Sequence, residues 1–227
     1  MLFRILCLLI ALSGFYTSLI AQNDPQAEAI LFTAYQKYKT YQNVKIDFTC
    51  TNENKERGLK QTYTGSGHIQ GIKYRIQYPD REMITDGANI WTYYKAAKQV
   101  HINTYNNKDG LLTPDEVFRE DFLTSGLVYK YIGDNSKELG EDLTANQNIV
   151  DIIGFQPKDN KRQYIKFRVH IDRKSKLMNA WEVFLKNGGT IFYRVKITPN
   201  TKIPANHFIL DEKTLPKDTK VTDFRKK

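Results

Sequence analysis

"GSGHIQGIKYRIQYPDREMITDGANIWTYY", residues 65–94, places Ile72, Tyr74, Ile76 and Tyr78 on one side of an extended chain and Lys73, Arg75 and Gln77 on the other. A strict period of two means a strand with one dry and one wet face. "DGAN" at residues 86–89 then divides "MITDGANIWTYY" into the two arms of a hairpin. "GSGHIQG" has a superficial likeness to a glycine-rich phosphate loop, but the spacing is wrong and a strand follows instead of a helix. Gly65 and Gly67 are better explained by strand twist or close packing. The ribbon is greasy, aromatic and free of obvious catalytic groups.

The same alternation continues on both sides of the ribbon. "VKIDFTC" (44–50) sets Val44, Ile46, Phe48 and Cys50 against Lys45, Asp47 and Thr49, and "QVHINTY" (99–105) is the next strand. "NIVDIIGFQP" reads as a strand ending at Pro157. "YIKFRVHID" alternates Ile165, Phe167, Val169 and Ile171 with Lys166, Arg168, His170 and Asp172. "LMNAWEVFL" (177–185) and "TIFYRVKIT" (190–198) follow, separated from their neighbours by "RKSK" and "NGG". Sequential hairpins of this kind build an antiparallel meander. The tail offers one further strand around Phe208–Leu210.

Two helices interrupt the strands. In "NDPQAEAILFTAYQKYKTY" (23–41), Asp24 is an N-cap and Pro25 opens the helix; Ala27, Ile30, Leu31, Ala34 and Tyr38 then form one apolar stripe. In "LLTPDEVFREDFL" (111–123), Thr113 and Glu116 make a capping box around Pro114. Leu112 and Val117 are placed as a hydrophobic staple, Val117, Phe118 and Phe122 mark the apolar stripe, and Gly126 ends the helix. An amphipathic helix inside a β-rich chain is a candidate cover for an apolar surface.

Arg4 followed by "ILCLLIAL" and a small residue before a polar stretch reads as an export leader, with cleavage expected after Ala21. Residues 22–227 then form one domain, expected in a soluble exported form because Cys7 sits within the apolar run and not at the cleavage site. Cys50 remains as the one cysteine of that domain, so no internal disulfide is expected and the core alone must hold the fold. The formal net charge is +9. Its basic residues are scattered among acidic ones, which fits a solvated surface, and export argues further against nucleic acid.

Chemistry is sparse. His68, His101, His170 and His207 have no metal-ligand spacing, and alternation puts His170 on a wet strand face. No Gly-x-Ser-x-Gly elbow occurs, and Cys50 falls on an apolar strand face, where a thiol is inert. Asp115, Glu116, Glu120 and Asp121 are explained by capping and solvation. No catalytic residue, metal site or cofactor is expected. The 14 Tyr and 12 Phe are the informative feature, since they gather on the apolar faces. They line either a packed β core or a partly filled hollow, and periodicity does not separate the two.

The order of these elements resembles the periplasmic outer-membrane lipoprotein carriers, the LolA family. The likeness runs through "VKIDFTC", "GSGHIQGIKYRIQYP", "MITDGANIWTYY" and "KQVHI", and through the tail residues Phe208, Pro216, Val221 and Asp223. It covers nearly all of the chain after the leader; each motif is loose, and their order is the more specific signal. The resemblance implies a mainly β, α+β fold: an unclosed antiparallel half-barrel with helices covering its concave face. It implies a soluble periplasmic monomer that carries acylated lipoproteins from an inner-membrane ABC transporter to an outer-membrane acceptor, with neither catalysis nor cofactor. The cavity expected from it is lined by Ile30, Leu31, Ile46, Phe48, Tyr74, Ile76, Trp91, Tyr93, Phe118 and Phe122. An Arg-Pro pair found in some family members is absent here. Arg75 takes the nearest place as a lid or partner contact, although alternation sets it opposite the apolar lining. An exported sensor of the same fold that binds protein or lipid is the alternative. Exposing an acyl chain of ~15 methylenes, at ~0.8 kcal/mol each, costs on the order of 12 kcal/mol, so transit through water requires an apolar container and no nucleophile.

Overall fold

The computed structural model of the protein describes residues 23–105, 126–134, 149–158, 160 and 162–225. The expected leader and the expected second helix, with Phe118 and Phe122, lie outside these residues. Helix α1 spans Pro25–Lys39 and packs against a sheet. The sheet's strands are β1 Val44–Asn54, β2 Leu59–Gln70, β3 Lys73–Gln77, β4 Arg81–Thr85, β5 Asn89–Tyr94, β6 Gln99–Thr104, β7 Leu127–Gly133, β8 Val150–Pro157, β9 Tyr164–Asp172, β10 Met178–Leu185, β11 Thr190–Pro199 and β12 Lys220–Asp223.

These 12 strands form one sheet in the order β12-β6-β5-β4-β3-β2-β1-β11-β10-β9-β8-β7. It is two meanders, β1–β6 and β7–β11, joined where β1 lies antiparallel to β11 with Ile46 opposite Ile197 and Phe48 opposite Val195. The outer strands β7 and β12 do not pair with each other, so the sheet stays unclosed. β12 runs parallel to β6, a departure from the expected all-antiparallel arrangement. This last strand, Lys220–Asp223, is the tail's strand; Phe208–Leu210 is not one. There the backbone turns, with the N–H of His207 donating to Pro204 O and that of Ile209 to Asn206 O, while Phe208 and Leu210 are buried by their side chains alone.

Alternation decides which face each strand buries. Ile46, Phe48 and Cys50 of β1, Tyr74 and Ile76 of β3, and Phe167, Val169 and Ile171 of β9 share one cluster with Trp181 of β10 and Tyr193 of β11. We call this face inner. β9 departs from the expected pattern at its start, where Tyr164 is buried and Ile165 is exposed. A register irregularity between Phe184 and Leu185 on β10 turns Ile165 outward. Gly65 and Gly67 serve close packing, as the sequence suggests: a Cβ on Gly65 would stand 2.3 Å from Phe48 Cζ, and one on Gly67 2.9 Å from Ile76 Cγ1.

Candidate apolar binding face

Helix α1 is fixed to the inner face at both ends. At its start the Asp24 carboxylate accepts from the backbone N–H of Gln26 at 2.9 Å and of Ala27 at 3.4 Å, satisfying helix donors that have no partner within the helix. The same carboxylate accepts from Tyr131 N–H at 3.1 Å, and the Asp24 N–H donates to Tyr129 O at 3.2 Å, so the cap also pins the helix to β7. These backbone donors, Tyr131 foremost, hold the Asp24 carboxyl below the usual carboxylate range. Toward its end, the Tyr38 hydroxyl accepts from Met178 N–H of β10 at 3.0 Å, and burial pushes that phenol well above its ordinary value. Between the two anchors Ala27, Leu31 and Ala34 are buried in the inner cluster, with Ile30 half-buried beside them.

Beneath the helix the face is aromatic. Trp181 stacks on Tyr193 with centroids 4.4 Å apart, and Phe155 stacks on Phe167 at 4.5 Å. Phe48 meets Tyr78 edge-on at 5.5 Å and Tyr193 at 5.9 Å. Such pairs add specific geometry to the burial of large apolar surfaces. Cys50 lies within this cluster, and burial raises its thiol pKa, which matches the inert thiol expected from its strand position.

The structure brings six of the expected cavity residues together: Leu31, Ile46, Phe48, Tyr74 and Ile76 are buried in the inner cluster, with Ile30 packed against it. It places Trp91 and Tyr93 elsewhere. Both are half-buried on the outer face against Ile84, Val100, Ile102 and Leu210. The strand "NIWTYY" carries apolar residues at both parities, so periodicity does not choose a face. Pairing does: Arg75 lies opposite Ile84, Ile84 opposite Trp91, and Trp91 opposite Ile102, all on one side. The inner face gains instead Trp181, Tyr193, Phe155, Phe167 and Tyr129 from the second meander. The signal for Trp181, Tyr193 and Phe167 was present in the alternation of "LMNAWEVFL", "TIFYRVKIT" and "YIKFRVHID".

Arg75 sits on the outer face, as its alternation requires. Its Nε donates to Glu82 at 2.7 Å and its Nη1 to the carbonyl of His207 at 3.2 Å. His207 Nε2 lies 3.1 Å from His68 Nδ1. Phe208 and Leu210, just beyond, are buried. Arg75 therefore ties down the C-terminal segment. His170 stands on the outward side that its alternation gives, but it is buried there and not wet: it is 2% exposed, and burial pushes its imidazole down to about 4. Among the described residues no group of three or more His, Cys, Asp or Glu is placed to hold a metal ion, and no described helix is long and apolar enough to cross a membrane.

The described residues form a mostly β, unclosed sheet with one helix laid against its aromatic face. No protein-family model matches the chain. It is similar in sequence to the outer-membrane lipoprotein carrier protein of Haemophilus ducreyi, with 24% identity over 173 residues, 74% of this chain and 73% of that protein. Among solved structures, an uncharacterized conserved protein from Thermus thermophilus shares the fold with a TM-score of 0.50 at 10% identity, covering 87% of this chain and 99% of that one. A LolA superfamily protein from Nitrosomonas europaea matches with a TM-score of 0.44 at 9% identity, covering 81% and 97% of the two chains. The resemblance carried by the motifs thus has a counterpart in sequence similarity to an outer-membrane lipoprotein carrier protein.

Proposed function

We propose that this protein is a periplasmic carrier that shelters the acyl chains of lipoproteins between helix α1 and the inner face, and shuttles them from the inner to the outer membrane. The observation that carries this reading is the joint placement of an amphipathic helix and an aromatic, apolar face on a sheet that does not close. An unclosed sheet lets the space beneath a helix widen without breaking a strand ladder, which suits a container that must load and unload. The similarity to a lipoprotein carrier supports the cargo class. On this reading residues 1–21 are a cleaved export leader, residues 22–227 are one domain, and helices cover a concave inner face. Phe118 and Phe122 contribute to that cover, an inner-membrane ABC transporter supplies the cargo, and an outer-membrane acceptor takes it. Sheltering an acyl chain calls for no bond to be made or broken, so the protein acts without catalysis.

The test is recovery of the protein from the periplasm, followed by mass spectrometry of what leaves with it. Acylated lipoproteins are the expected finding. A non-acylated protein partner recovered in their place would contradict the carrier reading and favour an exported sensor of the same fold.

A further inference from the structure

One pair of titratable rings on the outer face joins two distant parts of the chain. His68 belongs to β2 and His207 to the C-terminal segment, 139 residues apart, yet His207 Nε2 lies 3.1 Å from His68 Nδ1 and the rings meet edge-on with centroids 4.6 Å apart. One of the two nitrogens donates and the other accepts, whichever tautomers are present. The His207 carbonyl accepts in addition from Arg75 Nη1 at 3.2 Å. His207 therefore fastens its segment to the sheet by polar atoms, while Phe208 and Leu210 fasten it by burial. Leu210 packs in one cluster with Ile84, Val100 and Ile102, against which Trp91 also rests.

The strand register sets a cation on each side of His68. Lys45 of β1 lies opposite it in one ladder, and Arg75 of β3 lies opposite it in the other. The nearby carboxylates are already committed: Asp47 accepts from Lys45 Nζ at 3.0 Å, and Glu82 of β4 accepts from Arg75 Nε at 2.7 Å and from Gln77 at 3.2 Å. A first proton taken up by the ring pair leaves its N–H···N bond in place but adds a positive charge beside Lys45 and Arg75. A second proton leaves two donors facing each other at hydrogen-bond distance, so the bond is lost and the two charged rings repel. Burial foremost holds both imidazoles below their ordinary value. Lys45 adds to this at His68, and His68 and Arg75 add to it at His207, while Asp47 and Glu82 oppose it.

We propose that the His68–His207 pair is an acid-opened latch: with both rings neutral it clamps residues 204–215 onto the outer face, and with both protonated it releases them and bares the apolar cluster beneath. The sign follows from the neutral rings being the ones the clamped form prefers. Such a pair stabilises the clamp above the ordinary histidine value of 6.5, and that stabilisation is lost as pH falls below it. The opening is local, because the segment's hold is one ring pair, one arginine bond and two buried side chains, whereas each inner strand is held by ladders on both sides. The latch lies on the face opposite the acyl reading, so the two stand or fall separately.

The test is deuterium uptake of the full chain, read by mass spectrometry from about pH 7.5 to about pH 4.5, a span that brackets the ordinary histidine value. Rates are corrected for the pH dependence of exchange in an unstructured chain. Protection of residues 204–215 is expected to fall about tenfold or more across that span while β1 keeps its own. In His207→Gln, which has no titrating ring at that place, protection of the segment is expected to stay level with pH, whether it starts above or below wild type. A second readout needs no variant: in nitrogen-labelled wild-type protein the ring resonances of His68 and His207 are expected to titrate as a coupled pair, below the ordinary range and in step with the rise in uptake. Uptake that does not rise in acid, a rise shared equally by β1, a rise that His207→Gln leaves unchanged, or two rings that titrate separately at the ordinary value overturns the proposal.

Discussion

Gly65 has no room for a methyl group, since its Cβ would stand 2.3 Å from Phe48 Cζ and 2.6 Å from the Gln77 carbonyl oxygen. The backbone carbonyl cannot yield without disturbing the sheet. Gly65→Ala is expected to lose about 1–3 kcal/mol of stability, read as a lower midpoint in urea unfolding. Gly58 meets nothing within 4 Å of such a Cβ, but its φ of +62° keeps it from being a neutral control, so the comparison belongs with wild type. His170 gives a pH signature. Its imidazole is held neutral down to about 4, below its ordinary 6.5, because burial disfavours the charged form. The unfolded chain takes up that proton near 6.5, so the contribution is fully present above that pH and is lost as pH falls toward 4. On the order of 2–3 kcal/mol is expected to disappear between pH 7 and 4.5, from a shift of this size in a residue this buried. His170→Gln should flatten that part of the profile; an unchanged profile would show that other groups set it.

Arg75 acts on an element, the segment from His207 to β12. Removing its guanidinium by Arg75→Gln takes away the cation beside Glu82, whose side chain is only 11% exposed, and a donor to the His207 carbonyl. Backbone amides of β12 are expected to exchange hydrogen faster in that variant while those of β1 keep their protection. Equal exchange in β12 would detach Arg75 from the tail. The sequence made the central elements legible, because α1 carries a recognisable cap, β3, β6, β9, β10 and β11 an alternating period, and the β4–β5 hairpin a turn signal. It left β2 and the end of β1 obscure, since "LKQTYTGSG" and "TNEN" have little apolar alternation and are strands because neighbours pair with them. β12 was hidden for the same reason, all four of its residues being exposed. The tail's buried Phe208 and Leu210 drew attention because burial, not a ladder, is what their apolar character records. At the candidate site, parity sorted Ile46, Phe48, Tyr74, Ile76 and Arg75 onto their faces. It could not sort Trp91 and Tyr93, which sit in a strand that is apolar on both sides.

At the scale of the whole molecule, the joining of two meanders through β1 and β11 gives one sheet with two different faces. The inner face holds the helix and the stacked Trp181–Tyr193 pair; the outer face holds Trp91 under the C-terminal segment. These are the chain's 2 tryptophans, one for each face, and they make the central claim directly measurable. Trp91→Phe leaves Trp181 as the sole indole, and Trp181→Phe leaves Trp91. Titrating each variant with a bromine-substituted fatty acid, whose bromines quench indole emission only at close range, reports which face the acyl chain occupies. The account predicts saturable quenching of Trp181 with the emission of Trp91 unchanged. Quenching confined to Trp91, or none in either variant, would contradict it.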